Sequence, residues 1–494
     1  VSIMALTNLD IPPGVLANGE PYQVGQQGRW RRANLVRWRD GLLMPVGGWF
    51  RLTETTFDGL CRGMHAWLDN DRKRYLAVGT NTGLYVFNAS SLDDVTPTYY
   101  TSGRADSIFG AGYGFGPYGE ETYGTVRTST TNILDASIWS FDNWGENLIA
   151  VASHEGTVYE WEPEDAEPAE VSNAPTGGSA VYVTPERHLV VLKNKTVLWS
   201  DREDNTTWTA ASTNQAGSFE LSTPGRLLTG LRVRGQTLLL TTRDAHTMQF
   251  IGSPLVFSFR LAGQACGAFG PNAGVAMDSI AAWMGPNGFF LFDGTVRQLP
   301  SDVYDYVYSD INFDQAAKVT AGLNERFSEV WWFYPSASAT ENDRYVIWNY
   351  QENHWSIGEL ARTAWVPAGV FANPIAATPS GLLMNHEVGW TDNGSALTTQ
   401  RFVESGAISL GAGEFTVTVR EMVPNERSLG QTRVEFSTRF YPSGSETTYG
   451  PYSLTERTDM RFQAREIEVR ITGTADDDWR IGLPRFDLIQ GGRR

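Results

Sequence analysis

A short β pattern recurs along this chain: an apolar run, a tight polar turn, and a second run that ends in an aromatic residue. The first copy runs from Tyr75 to Phe87, with its turn at Asn81-Thr-Gly83. Equivalent positions are Leu84, Thr157, Thr196, Thr247, Phe289, Tyr345 and Leu382, at intervals of 73, 39, 51, 42, 56 and 37 residues. Most intervals lie near the roughly 40–50 residue period of a four-stranded propeller blade. The repeat predicts a β-propeller of about six to seven blades.

The composition favours the same all-β class. The chain contains 17 Trp, 19 Tyr and 24 Phe, together with 50 Gly and 23 Pro. Aromatic residues suit half-buried pleated surfaces, and Gly and Pro supply turns. No long stretch shows apolar residues at helical period, and the best candidate for one short helix is 313–323.

The sequence pattern changes in the last hundred residues. Segments such as 432–440 and 464–471 alternate apolar and polar residues, which predicts antiparallel strands with one face in water. We therefore expect a C-terminal antiparallel β-sandwich at 395–494, after a propeller at 51–394. Residues 1–50 are rich in Arg and Trp, and we expect this segment to pack on the propeller or close it.

A Gly/Tyr-rich stretch at 102–125 interrupts the blade period. Long loops in compact folds are functional or disordered, and Gly at nearly every second position loosens the backbone. We interpret the stretch as an arm that orders against a neighbouring subunit or another component of an assembly, with plain disorder as the alternative. Its candidate contact residues are Tyr113, Phe115, Tyr118 and Tyr123.

The formal charge is −17, from 56 acidic and 39 basic residues. This charge disfavours a surface that grips nucleic acid, but it suits a passage that repels phosphate. The candidate channel loops contain Glu160, Glu162, Glu164, Asp165, Asp302 and Asp305. The simpler interpretation is that such loops are solvated and that the acidity keeps a large β protein in solution.

The sequence lacks the usual signatures of catalysis. Its six His residues lack zinc-site spacing, and we find no CxxC, phosphate-binding loop or Gly-x-Ser-x-Gly motif. Asp476-Asp-Asp478 lacks the phasing of an EF-hand loop, and 201–208 only loosely resembles the structural Asp-box turn. We therefore expect no enzyme activity, no cofactor and no metal.

Cys61 and Cys266 are the two cysteines. Because the first residues lack the pattern of a secretory signal, we expect two free buried thiols and folding in a reducing cytosol. No apolar run approaches the roughly 18–20 residues that span a bilayer, so we expect no membrane-spanning segment.

Several blocks resemble tail proteins of tailed bacteriophages, and the resemblance extends over nearly the whole chain. The blocks are 34–49, 113–124, 139–147, 199–208, 213–217, 329–335, 341–348 and 479–494. They are most similar to the nozzle or tail-hub proteins of short-tailed phages, also called packaged-DNA stabilisation proteins.

This resemblance implies a homohexameric ring in the virion tail, assembled in the bacterial cytoplasm. The ring would attach to a head-to-tail adaptor or tubular tail protein and carry fibres or spikes. It would retain the packaged DNA and pass the duplex through an acidic channel without specific binding. Two alternatives stay open: a propeller that binds or cleaves host-surface glycan, and a monomeric propeller that binds a protein partner.

Overall fold

The computed structural model describes residues 6–20, 27–112, 127–410, 415–425, 427–441 and 444–492. Within these ranges, four-stranded antiparallel sheets predominate, and seven of them are arranged as the blades of a propeller. A β-sandwich follows at the C-terminal end. The predicted all-β class, with a propeller and a C-terminal sandwich, is confirmed.

The strands before the first blade are short. They are β1 (Thr7–Asn8), β2 (Trp30–Asn34), β3 (Val36–Arg39), β4 (Leu42–Pro45) and β5 (Trp49–Arg51). Blade 1 follows with β6 (Cys61–Leu68), β7 (Arg74–Thr80), β8 (Leu84–Phe87) and β9 (Leu92–Asp94). A hairpin made of β10 (Ile108–Gly112) and β11 (Arg127–Leu134) then separates blade 1 from blade 2. We call this hairpin the arm.

The next three blades follow without insertion. Blade 2 contains β12 (Trp139–Trp144), β13 (Asn147–Ala152), β14 (Val158–Trp161) and β15 (Ala169–Glu170). Blade 3 contains β16 (Ala180–Val183), β17 (Leu189–Lys193), β18 (Thr196–Trp199) and β19 (Gly217–Glu220). Blade 4 contains β20 (Leu227–Val233), β21 (Gln236–Thr241), β22 (Ala245–Gly252) and β23 (Val256–Gly263).

The last three blades complete the ring. Blade 5 contains β24 (Gly274–Ala276), β25 (Ala281–Gly285), β26 (Gly288–Phe292) and β27 (Val296–Leu299). Blade 6 contains β28 (Thr320–Asn324), β29 (Glu329–Tyr334), β30 (Arg344–Asn349) and β31 (His354–Glu359). Blade 7 contains β32 (Ala364–Val366), β33 (Ile375–Ala377), β34 (Leu383–His386) and the N-terminal strand β5.

Helices are few and short among the described residues. They are α1 (Tyr304–Asp310) and three 3₁₀ turns at Phe313–Lys318, Glu325–Phe327 and Thr398–Gln400. The helix predicted over 313–323 is therefore wrong beyond Lys318, because Thr320–Asn324 form the innermost strand of blade 6. No helix among the described residues is both long and apolar enough to span a bilayer.

The N-terminal strand β5 closes the propeller. It pairs antiparallel with β34, with Trp49 opposite His386, and so supplies the outer strand of the last blade. Trp49 stacks on His386 with ring centroids 5.3 Å apart, and the Arg362 guanidinium lies 4.9 Å from the Trp49 ring. The Trp49 indole N–H donates to Asp392 at 2.6 Å. The closing strand is thus held by side chains as well as by its ladder.

A buried ion cluster fixes the segment just before the closing strand. Arg37, whose side chain is 2% exposed, lies 3.0 Å from Glu329 of blade 6 and 2.5 Å from Glu387 after blade 7. The Trp331 indole N–H donates to Glu329, and the Gly47 amide donates to Glu387. Burial raises the pKa of Glu329 to about 7, although the charge of Arg37 opposes this rise.

The sandwich contains strands from both ends of the chain. Its C-terminal strands are β35 (Phe402–Ser405), β36 (Ile408–Ser409), β37 (Val417–Val423), β38 (Thr432–Arg439), β39 (Thr447–Ser453), β40 (Thr458–Ala464), β41 (Glu466–Gly473) and β42 (Arg485–Gln490). One sheet has the order β1-β42-β37-β40, and the other has β2-β35-β41-β38-β39 with β36 also on β41. Strands such as β38 and β41 alternate buried and more exposed residues, as their sequences predict.

The sandwich is attached to the outer edge of blade 6. Strand β2 pairs with β35 of the sandwich and also lies beside β31 of the propeller. The Glu359 amide donates to the Asn34 side chain, and the Ser356 hydroxyl donates to the Val36 carbonyl. One continuous apolar core therefore includes the N-terminal segment, blades 4 to 6 and the sandwich. Cys61 and Cys266 are buried and unpaired, as expected.

We expect Arg37→Ala to lower the free energy of unfolding by about 3–5 kcal/mol, because it leaves Glu329 and Glu387 buried without their cation. Arg39→Ala is the matched control, since Arg39 is on the same strand and its side chain is 53% exposed. The control should change stability by no more than about 0.5 kcal/mol. Urea denaturation of both variants measures the difference, and equal losses would contradict the cluster's role.

The raised pKa of Glu329 predicts a pH dependence. Between about pH 4.5 and 7 the folded state holds a proton on Glu329 that the unfolded chain releases, so this group favours folding less as pH rises. Glu329→Gln removes the titration. The stability of this variant relative to the unmodified protein should therefore increase from pH 5 to pH 8, by an amount on the order of 3 kcal/mol at most. A difference that stays constant over this range, measured by urea denaturation, would refute the assignment.

Candidate functional site

The axial channel of the propeller is a small cavity. The innermost strands of all seven blades line a cavity of about 400 Å³. Trp139, Tyr182 and Trp365 contribute to its lining, and their rings are buried between neighbouring blades. Each packs against a glycine of another strand, where an added Cβ would lie 2.3–2.6 Å from the ring: Gly79, Gly230 and Gly322, respectively. Glycine at these positions lets the rings approach the backbone of β7, β20 and β28.

The polar groups in the channel are paired with one another. Arg232 donates to both carboxylate oxygens of Asp142 at 2.6 Å, and the Val183 amide also donates to Asp142. His65 lies 2.6 Å from the side chain of Asn143. Because the buried carboxylate is neutralised by an arginine, this channel is not an acidic lumen.

The channel is also too small to hold duplex DNA. Its volume is that of a small-molecule pocket, for which about 300–1,000 Å³ is usual. A DNA duplex needs a much larger opening, since its major groove alone is about 12 Å wide. A passage for DNA would therefore have to lie between copies of the chain, outside the propeller axis.

The root of the arm is fixed to one face of the propeller, the face where the innermost strands begin. Lys318, whose side chain is fully buried, lies 2.5 Å from Asp106 and 2.9 Å from Glu341. Arg62, at the start of blade 1, donates to both oxygens of Glu341 and to the Ala105 carbonyl. Blades 1 and 6 thus hold the segment that leads into the arm.

Neutral hydrogen bonds complete this attachment. The Ser107 amide donates to the Gln315 side chain at 2.9 Å, and the Gln315 amide group donates back to the Ser107 carbonyl at 2.8 Å. On the returning strand, Asp135 forms an ion pair with Arg226, which directly precedes the innermost strand of blade 4. The arm therefore leaves the propeller near its axis from a base that several blades stabilise.

Beyond this base, the arm exposes apolar side chains on both of its faces. Ile108 pairs with Leu134, and Phe109 pairs with Ile133. These four side chains are between 37% and 50% exposed. Successive strand residues point to opposite faces, so Ile108 and Phe109 place apolar groups on both sides of the hairpin. The predicted contact residues Tyr113, Phe115, Tyr118 and Tyr123 lie outside the described residues.

The structure does not bring the predicted acidic loops together. Glu160, Glu162, Glu164 and Asp165 belong to the outer part of blade 2, whereas Asp302 and Asp305 follow blade 5. In a ring of seven, these blades lie on nearly opposite sides. The two groups of carboxylates therefore face different directions.

Several of these carboxylates already have partners within the chain. Glu160 accepts hydrogen bonds from Asn147 and Asn205, which link blades 2 and 3. Glu164 pairs with Lys73 of blade 1, and Asp302 pairs with Arg29 of the N-terminal segment. Glu162 and Asp165 are exposed.

The tryptophans do not form exposed platforms for a sugar ring. All 17 lie within the described residues, and none of them is exposed. The three that are half-buried are Trp144, Trp208 and Trp390. The guanidinium of Arg187 covers Trp144, and that of Arg401 lies over Trp390. Within the described ranges, no group of three or more His, Cys, Asp or Glu side chains could hold a metal ion.

The sequence predicted the arm but not the contacts that fix its base to the propeller. Ser107 and Gln315 are 208 residues apart, so no local pattern connects them. It also missed the long outer hairpin of blade 4, β22–β23. A signal was present there, because Val256-Phe-Ser-Phe-Arg-Leu261 alternates as an outer strand does.

We expect Lys318→Met to loosen the root of the arm, since Asp106 and Glu341 lose a buried cation. The free energy of unfolding should fall by about 2–3 kcal/mol, less than for an isolated buried pair, because Arg62 still contacts Glu341. Limited proteolysis should also cut the arm faster. Lys73→Met, which breaks an exposed pair, is the control and should change neither readout. Unchanged cleavage of the Lys318 variant would contradict this role.

Comparison with known proteins gives only distant structural matches. No protein-family model and no curated protein matches the chain. Among solved structures, it is similar to the β-propeller domain of Cps50 (Swd1) from Myceliophteria thermophila, with 10% identity and a TM-score of 0.36 over 70% of this chain and 99% of that one. A chain of the Mitotic Checkpoint Complex gives 10% identity and a TM-score of 0.39, over 69% and 98% of the two chains. Such distant similarity carries no statement about function.

Proposed function

We propose that this chain is a structural subunit of a bacteriophage tail, a nozzle or hub that retains packaged DNA and forms part of its exit channel. The proposal assigns it no catalytic step. It begins from the sequence blocks that resemble such proteins, including 34–49 and 341–348. In this proposal the copies form a six-membered ring in the virion, assembled in the bacterial cytoplasm.

The main structural support for this proposal is the exposed apolar surface of the arm. A two-stranded hairpin alone is at best marginally stable in water, and this one exposes apolar residues on both faces. Clustered exposed apolar residues mark contact surfaces for other proteins. The firm base around Lys318 and Gln315 would hold the arm in a fixed direction, which an assembly subunit requires.

The small size of the axial cavity supports a passage between subunits. Since the propeller's own channel is too small for a duplex, the DNA would pass along a bore surrounded by several copies. Each copy carries a net charge of −17, so six copies would carry roughly −100 in total. A bore with this sign of charge would repel phosphate and let DNA slide without adhering.

The proposal also assigns neighbours to the ring. An adaptor or tubular tail protein would lie above it, and fibres or spikes would attach at its side. The sandwich lies beside blade 6, and among the described residues none of its strands pairs with the outer strands of blades 1 to 4. Those free edges would supply the surface for contacts between copies and with fibres.

Native mass spectrometry tests the proposal. We expect the full chain to form a hexamer, and we expect a variant whose residues 109–133 are replaced by a short Gly/Ser linker to be monomeric. The linker variant should keep the unfolding temperature of the propeller, because Ile108 and Leu134 mark the base of the hairpin. A stable monomer of the full chain at working concentration would refute the proposal. Hydrolysis of host polysaccharide by the pure protein would favour the glycan alternative.

A further inference from the structure

Lys318 is an unusual residue for this chain. The sequence contains four lysines, at positions 73, 193, 195 and 318, and Lys318 alone is buried, with a side chain that is 0% exposed. Arginine is the usual residue for a buried ion pair because it keeps its charge, whereas a buried lysine can lose its proton. A deprotonated lysine is a nucleophile. The buried lysine at the root of the arm can therefore act as one.

The Lys318 amine lies against a carboxyl group from a distant part of the chain. Its Nζ is 2.5 Å from the Asp106 carboxylate, 2.9 Å from Glu341 and 2.7 Å from the Thr340 carbonyl. A carboxyl C–O bond is about 1.2 Å long, so Nζ is at most about 3.7 Å from the Asp106 carboxyl carbon. This separation is close to the roughly 3–3.5 Å at which a well-oriented pair of groups reacts.

The two carboxylates around the amine are held differently. Arg62 donates to both oxygens of Glu341, at 2.8 and 2.5 Å, and the Glu341 side chain is 20% exposed. This pairing keeps Glu341 ionised, so it can accept a proton but resists nucleophilic attack. Asp106 pairs with no arginine among the described residues, and its side chain is 44% exposed. The arrangement therefore supplies a nucleophile, a base and a carboxyl group from which water can leave.

We propose that Lys318 and Asp106 condense to an amide, an intramolecular crosslink that joins the root of the arm to the segment between blades 5 and 6. Glu341 accepts one proton from the ammonium group, and the neutral Nζ attacks the Asp106 carboxyl carbon. A C–N bond forms and a C–O bond breaks. Two protons from the nitrogen, transferred through Glu341, leave with the departing oxygen as water, and Glu341 ends in its initial state. The ammonium and the carboxylate contain all the atoms of the amide and the water, so no further reactant is needed.

The charges of this cluster balance before and after the step. Two cations, Lys318 and Arg62, face two carboxylates, Asp106 and Glu341. Condensation removes one charge of each sign and keeps the Arg62–Glu341 pair, so it relieves part of the desolvation cost of a buried ion cluster. The remaining amide N–H has an acceptor in place, since the Thr340 carbonyl already lies 2.7 Å from Nζ. Groups held in this way react as though at about 10⁵–10⁸ M, which favours a condensation that free molecules in water do not undergo.

The bond would enclose four blades in a covalent loop. Residues 106–318 contain the arm and blades 2 to 5. An ion pair can separate and re-form, whereas an amide holds the root of the arm permanently. This inference concerns the folded chain itself and does not depend on the proposed function.

Mass spectrometry of the full chain tests for the crosslink. We expect the purified protein, denatured before measurement, to be lighter than its sequence mass by one water molecule. Aspartyl residues elsewhere can also lose water, so tryptic digestion must yield a branched peptide that joins Asp106 to Lys318. Lys73, which pairs with Glu164 at 2.6 Å in an exposed site, is the internal control and should form no branch. A chain of full mass, or a branch from Lys318 to Glu341, would overturn the proposal.

Three substitutions separate the roles within the cluster. Lys318→Arg keeps the cation but cannot condense, so this variant should keep its full mass. Asp106→Asn should form the same amide with loss of ammonia instead of water, because the leaving group is then nitrogen. Glu341→Gln removes the proton acceptor, and the crosslinked fraction of freshly prepared protein should fall by at least about tenfold.

Circular dichroism of each variant checks that it is folded, and the mass of the original chain decides the proposal even where a variant fails to fold. Equal loss of water by folded Lys318→Arg would overturn the crosslink. A folded Glu341→Gln variant that crosslinks as fully as the original chain would overturn the role of Glu341 as the base.

Discussion

The structure depends on the closure of a ring of sheets by a strand from the other end of the chain. Blade 7 has three strands of its own, and β5 supplies the fourth. The cation of Arg37 holds the segment before this strand against Glu329 of blade 6 and Glu387 of blade 7. The cluster is expensive to form because an arginine and two carboxyl groups leave water. Its geometry joins the first fifty residues to the last two blades, and the sandwich is attached through the same segment.

The closed ring fixes the positions of two exposed hairpins, the arm and β22–β23. The seven blades form a closed ring, and Trp139, Tyr182 and Trp365 pack between neighbouring blades. The arm rises near the axis from a buried Lys318, while β23 lies on the rim of blade 4. The ring therefore holds the two hairpins at different positions on one body.

The sequence predicted the blades well because their signal is local. Leu84, Thr196, Thr247, Phe289 and Tyr345 all lie within the third strand of a blade, and Thr157 and Leu382 directly precede one. Most of these third strands are short runs rich in apolar and aromatic residues, such as Gly288–Phe292, which gives a compact pattern between turns. The long first interval contains the arm, and the predicted range of blades includes the observed seven.

The sequence could not predict contacts between residues that are far apart along the chain. No local pattern assigns β5 to blade 7 or β2 to the sandwich, since their partners lie more than three hundred residues away. For the same reason, the acidic loops of blades 2 and 5 could not be placed from composition. The segment 320–323 was misread as helix because a short apolar run fits either structure until its neighbours are known.

The pairing of Arg37 with Glu387 also sets a minimum time for completing the fold during synthesis. The two residues are 350 positions apart. At about 5–20 residues per second, a ribosome needs roughly 20–70 s to make the chain between them. Throughout that interval the basic, tryptophan-rich segment lacks its carboxylates and the distant strand partners of β2 and β5. This segment is therefore made early but buried only after blade 7 exists.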